Sequence, residues 1–423
     1  MRHSASPIFD KNKQALFCIF AMFWVSNIAP FLMGQTLLLR VLVYPLYGFL
    51  IIILSVSLFD LKKIKLLPKF SSVFIVILIS FCLLSIIRGF IKPLSINDFR
   101  SLLFDRAGSV VVWLMPAALF WGISVRFWIS FINIVPLFIK INLIYIVFLI
   151  AFSLLHASFL VHKVYNSSDF LFIAPLLIVF AIYKKNKKVI VLSILAILLL
   201  VIHMFLMDER FAIAFEGLIC IFFLFLIFRI KRRLNIKLFF IVTGFLLVVF
   251  ILFGISSFPY FQQQVHRYFV EDELFKDTRG HGSLAEAVEK GMTFKEKVFG
   301  KGINGTYVFG MIGWPPKPYI RSNVEIGYKQ IILKGGYSML FIFLAISLQA
   351  IFLGILRTNN VLTKCLALMI LARLCIMVTA MIPRVGFEYL FFWLAIGACL
   401  SKEVRAMGTE FLLQKIWTKR IIY

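Results

Sequence analysis

The stretch from Pro259 to Gly327 reads PYFQQQVHRYFVEDELFKDTRGHGSLAEAVEKGMTFKEKVFGKGINGTYVFGMIGWPPKPYIRSNVEIG, and it is the one long polar interruption in this chain. Outward from it on both sides the sequence is nearly continuous apolar runs joined by short, mostly basic connectors. Of the 423 residues, 62% are hydrophobic and only 15% charged. Ordinary soluble domains are about half apolar and about a quarter charged, so this balance excludes a soluble globule. A membrane protein with one sizeable loop does its specific work there, and the reading turns on which side that loop faces.

A spanning helix needs about 20 mostly apolar residues. By that criterion the chain holds about twelve, near residues 15–34, 38–58, 71–88, 108–124, 138–160, 168–183, 189–207, 211–228, 238–258, 329–355, 362–382 and 386–400. Residues 127–135 read as an interfacial helix ended by Pro136. The expected fold is therefore an all-α integral membrane protein with one large extracytoplasmic loop. It divides into helices one to nine in 1–258, the loop in 259–327, helices ten to twelve in 328–400, and a basic tail in 401–423.

Charge sets the orientation. Alternate connectors carry Lys62, Lys63, Lys65 and Lys69, then Arg126, then Lys184, Lys185, Lys187 and Lys188, then Arg229, Lys231, Arg232, Arg233 and Lys237, then Arg357 and Lys364. Both termini belong with this set, through Arg2, Lys11 and Lys13 and through Lys402, Arg405, Lys415, Lys419 and Arg420. Basic residues gather in cytoplasmic loops, so both termini are expected in the cytoplasm and the loop outside. The net charge of +26 is thereby assigned to cytoplasmic connectors and not to nucleic acid binding. The six cysteines all lie in apolar runs, without metal-ligand spacing, and read as small core residues.

The outer side then collects Arg40, Arg88, Lys92, Asp98, Arg100, Asp105, Arg106, His162, Lys163, Asp208, Glu209, Arg210, the loop, and Arg384 with Glu388. Arg210 sits in a charged triplet between two apolar runs. It is either a solvated, snorkelling turn residue or a fork of donors for phosphate oxygens. In the loop, Thr278-Arg279-Gly280 precedes Phe299-Gly300-Lys301-Gly302-Ile303-Asn304-Gly305. The Walker pattern is absent, and a glycine-rich turn is the expected account. Spacing puts Arg321, Glu325 and Lys329 on one face if that stretch is helical. Glu325 is either a salt-bridge partner or a general base. Glu216, Lys334 and Arg373 fall at membrane depth, where ionisable groups face polar cavities. Lys140 reads as a snorkelling residue near a helix end. His156 and His203, near outer helix ends, read as core histidines.

In architecture and in three local patterns the chain resembles the O-antigen polymerase and ligase family of bacterial membrane glycosyltransferases. The patterns are Asp208-Glu209-Arg210-Phe211-Ala212, then Arg279 followed by Phe299-Gly300-Lys301-Gly302, then Ser322-Asn323-Val324-Glu325-Ile326-Gly327-Tyr328 leading to Gly335-Gly336. The ligase branch usually has a histidine in the third pattern, and Arg321 to Gln330 contains none, which favours the polymerase branch.

The resemblance implies a GT-C-like architecture in the bacterial inner membrane and metal-independent transfer without a cofactor. The donor and acceptor would be glycan repeat units on undecaprenyl pyrophosphate, destined for O-antigen, capsule or exopolysaccharide. Membrane lipids are partners, with room for a chain-length regulator. On this reading Arg210, Arg279 and Glu325 carry the reaction, and Arg321, Asn323, Lys329, Arg373 and Arg384 hold substrate. The alternatives are a ligase that moves finished glycan to the lipid A core and a polysaccharide flippase.

Overall fold

The computed structural model describes residues 11–27, 37–91, 96–105, 108–155, 173–206, 288–311, 314–324, 326–358, 360–378 and 383–416. Helices α1 (Lys11–Asn27), α2 (Leu37–Leu58), α3 (Lys69–Ile91) and α4 (Ile96–Phe104) come first, with a 3-10 turn at Phe59–Leu66 between α2 and α3. The run expected as one helix over 108–124 is helical over Val110–Gly122 but tightens in its middle. It forms α5 (Val110–Leu114), a 3-10 turn at Met115–Ala118 and α6 (Leu119–Gly122), because Pro116 enters the first positions of that turn and lacks the amide a continuous helix needs. Next come α7 (Val125–Leu155), α8 (Ala174–Tyr183) and α9 (Lys187–Leu206). The chain continues through α10 (Phe294–Phe299) and the strands β1 (Tyr307–Met311) and β2 (Trp314–Arg321). It ends with α11 (Gly327–Leu356), α12 (Val361–Ile376), α13 (Phe387–Leu400), α14 (Lys402–Ala406) and α15 (Thr409–Lys415).

Three of the described helices are long and apolar enough to cross a membrane, over Lys69–Ile91, Val125–Tyr145 and Gly327–Leu356. The expected eighth and ninth spans, with Glu216, lie outside the described residues. Residues 127–135 are not a separate interfacial helix, because α7 runs through Pro136 without ending. Lys140 consequently lies inside that helix and is exposed there, not near its end. The described residues are overwhelmingly helical, as an all-α protein requires, and within the loop β1 and β2 add one antiparallel hairpin pairing Tyr307 with Arg321 and Val308 with Ile320. The pairing is irregular between Phe309 and Met311, opposite the stretch that holds Pro315, Pro316 and Pro318, and prolines are tolerated at such irregularities because they have no ladder donor.

Helix α13 lies at the centre of the described helices. Every one of its residues is buried, and it packs on α11, α12, α6 and the Met115–Ala118 turn. The crossing with α6 is very close. A Cβ on Gly397 would come 2.1 Å from the carbonyl oxygen of Leu119, and one on Gly122 would come 2.0 Å from that of Leu394. Small residues permit such approach between membrane helices, where packing supplies the attraction.

The connectors divide between the two ends of the bundle. At one end Lys63 Nζ donates to the Phe120 carbonyl, Ser401 Oγ to that of Ile123, and Arg405 to that of Arg357. Ser71 bonds Gln349 nearby, at 2.7 Å. Several of the basic connectors thus gather on one side. At the opposite end lie residues 85–91 of α3, the 299–305 turn, the start of α11 and the junction of α12 with α13.

Candidate functional site

The glycine turn enters between α3 and α11. The amide of Lys301 donates to Leu333 O, that of Gly302 to Lys334 O, that of Ile303 to Ser85 O and that of Gly300 to Glu296 O. With these donors committed to protein carbonyls, the turn cannot cradle a phosphate, and its glycines serve close approach. Gly300, Gly302 and Gly336 have φ of 70°, 83° and 76°, and α11 kinks at Gly336 to receive the turn. Lys334 is fully buried and donates to the carbonyls of Ile303 and Gly305 at 2.7 and 2.8 Å. The sequence placed Lys334 among membrane-depth charges; its partners are backbone oxygens of the re-entering turn. Arg88 completes the clamp from α3, donating to Phe299 O and Gly300 O at 3.0 Å each, and Asn304 reaches Gly89 O.

Beside this wedge, Asn323 Nδ2 donates to both oxygens of Asp105, at 3.0 and 3.3 Å, while Asp105 Oδ2 also accepts from the Gly108 amide. The Asn323 carbonyl accepts from Tyr307 Oη, and the Val324 amide donates to Gln330 Oε1. The Gly327 amide then donates to Met377 O. The segment 323–327 is therefore tied to the connector after α4, to the hairpin and to the end of α12. The stretch is not helical as the common face required. Arg321 ends a strand and the helix starts only at Gly327, after an extended backbone at Ile326 with φ −92° and ψ 119°. Arg321 and Lys329 thus belong to different elements. Lys329 pairs with Glu289, which also accepts from Tyr337 Oη at 2.8 Å. Those two donors hold the Glu289 carboxyl below the usual glutamate range.

At the same end, Glu388 opens α13 between two cations. Arg373 contacts Glu388 Oε1 and Arg384 contacts Oε2, each at 3.3 Å, and all three side chains are largely buried. The structure thus brings Arg373 and Arg384 together through Glu388, which the sequence marks only as an outer charge. It seats Asn323 on Asp105 and Lys329 on Glu289. Sequence reasoning misses Asp105 and Glu289 as anchors because their partners are more than thirty positions away in the chain. Arg210, Arg279 and Glu325 lie outside the described residues, as do His156 and the side chain of His203. Among the described residues no group of three or more His, Cys, Asp or Glu is placed to hold a metal ion.

Comparison with protein-family models, with curated proteins and with solved structures gave no match.

Proposed function

We propose that this chain is a membrane glycosyltransferase that polymerises undecaprenyl-pyrophosphate-linked oligosaccharide repeat units at the loop end of its helix bundle, on the outer face of the bacterial inner membrane. The observation that carries the reading is the buried Arg373–Glu388–Arg384 group. Two guanidinium groups meet one carboxylate at the end of the bundle where the loop packs. Guanidinium forks suit phosphate oxygens, and a pyrophosphate headgroup of a lipid lies at that depth.

In the proposed reaction a sugar hydroxyl of the acceptor attacks the anomeric carbon of the donor. The bond from that carbon to the pyrophosphate oxygen breaks, and undecaprenyl pyrophosphate leaves with the electron pair. Arginine charge stabilises the departing phosphate oxygens, the effect preorganised cations supply best in a dry site. Arg210 and Arg279 join Arg373 and Arg384 in this role, and Glu325 takes the hydroxyl proton. Asn323, Arg321 and Lys329 are assigned to holding the glycan. The bonds of Asn323 to Asp105 and of Lys329 to Glu289 give those two side chains a shaping role around the segment that carries Glu325.

The test is purified chain in proteoliposomes with a lipid-linked repeat unit and no nucleotide. Growth of a glycan ladder supports the proposal, and its loss in Arg210→Ala and Arg279→Ala assigns the cations. Movement of the lipid-linked unit across the bilayer without any ladder would replace polymerase with flippase.

A further inference from the structure

We infer that α10 and the turn after it are inserted into the bilayer, so that Phe294 and Phe299 contact lipid in the leaflet at the loop end. Along α3, residues Ile77, Phe81, Leu84, Arg88 and Ile91 follow each other at spacings of four and three, which places them on one helix face. Ile77, Leu84 and Ile91 on that face are exposed by 37%, 56% and 73%, as expected of a stripe that faces lipid. Phe299 rests on this stripe. Its ring stacks on Phe81 with centroids 6.3 Å apart and planes 16° from parallel, and its carbonyl accepts from Arg88.

Depth follows from the helix rise. Phe81 lies two turns on the apolar side of Arg88, about 10 Å nearer the bundle centre. The ring of Phe299 therefore reaches below the charged boundary of α3 while its carbonyl stays on Arg88, although the residue belongs to the polar loop. The turn after it meets the rule for backbone at membrane depth, which must be satisfied by protein. The amides of 300–303 donate to carbonyls, and the carbonyls of Ile303 and Gly305 receive Lys334.

The rest of the surface agrees. Phe294 is 83% exposed and Phe299 48%. The short helix between them carries Lys295 and Lys297, long side chains that reach headgroups while their stems stay apolar. Its acid, Glu296, is tied into a capping box with Thr293. On α4, Phe99 adds a 48% exposed ring at 6.5 Å from Phe90, extending the aromatic collar along the same end. Aromatic rings with basic neighbours are the composition of a membrane–water boundary.

The experiment uses the full chain reconstituted in vesicles of phosphatidylcholine brominated on the acyl chains. Phe294→Trp and Phe299→Trp are compared with the unaltered chain by difference emission. The expected result is added emission at short wavelength that brominated lipid quenches and aqueous iodide does not. Quenching by iodide without quenching by brominated lipid would overturn the inference, because the helix would then face water. Protection from both quenchers would also overturn it, since a second protein surface would then cover these rings. Phe294 touches little, so its variant keeps the test intact if Phe299→Trp disturbs the stack on Phe81.

Discussion

Gly300 and Gly336 meet backbone to backbone where the loop re-enters the bundle. A Cβ on Gly336 would fall 2.2 Å from Val298 O and 2.6 Å from the Gly300 nitrogen, and one on Gly300 would fall 2.2 Å from Lys334 O. Both residues also hold positive φ. Alanine at either position is therefore strained in backbone and in space. The strain alone costs on the order of 1–3 kcal/mol, and backbone atoms cannot move aside as a side chain can. Gly300→Ala and Gly336→Ala should each lower the thermal unfolding midpoint in detergent. Gly48→Ala, which meets nothing within 4 Å, should leave it unchanged or raise it.

Lys334 holds the same wedge from inside. Lys334→Met keeps the length and removes the donor from two buried carbonyls, those of Ile303 and Gly305. Leaving a buried acceptor unmet costs about 1–3 kcal/mol. The turn should then open locally before the bundle unfolds. Hydrogen exchange reads this directly: the amides of Lys301 and Gly302, which donate to Leu333 and Lys334 carbonyls, should exchange faster in the variant. Unchanged protection at both amides would show that the ammonium does not hold the turn.

Much of the described helical layout is legible in the sequence because long apolar runs mark the helices. The edges of α3, α11, α12 and α13 fall within a few residues of the expected spans, apart from the end of α12. Two prolines depart from expectation in opposite directions. Pro116 tightens its run into a 3-10 turn, whereas Pro136 is absorbed by α7; the outcome depends on neighbours that compensate the lost amide, which no local pattern contains. The site is less legible. Arg373, Arg384, Asn323 and Lys329 stand out in the sequence, but Glu388, Asp105 and Glu289 acquire their roles only when distant elements meet. The pairing of Gly300-Lys301-Gly302 with Gly335-Gly336 is the one available signal, since two glycine clusters invite a close backbone crossing.

The Arg373–Glu388–Arg384 group predicts an order of effects. Glu388→Ala leaves two buried guanidinium groups without their shared carboxylate, and breaking a buried pair in this way costs about 3–5 kcal/mol. Arg384→Ala leaves the Arg373–Glu388 contact in place and should cost less. Combining Glu388→Ala with Arg373→Leu should cost less than the sum of the two single changes, because each removes the same contact. Thermal midpoints of the four proteins give the cycle. On the proposed function Arg384→Ala also shortens the glycan ladder while the protein remains folded, which separates the anion role from a purely structural one.

Glu289 supplies a pH dependence at the loop. Lys329 donates to its carboxylate first and Tyr337 second, and both favour the ionised form in the folded protein. A carboxyl whose pKa is lower folded than unfolded stabilises the fold above the unfolded value, near 4.3 for glutamate. That contribution begins to fall as the pH drops through the unfolded value and is gone below the folded one. The residues around Val288 and Met292 should therefore loosen from α11 only in distinctly acidic solution and be indifferent to pH between about 6 and 8. Glu289→Gln should reproduce the acid behaviour at neutral pH, because it removes the charge and keeps the shape. Limited proteolysis between residues 288 and 293, followed against pH in both proteins, reads the effect. Parallel pH profiles in the two would show that the Glu289–Lys329 contact does not anchor this segment.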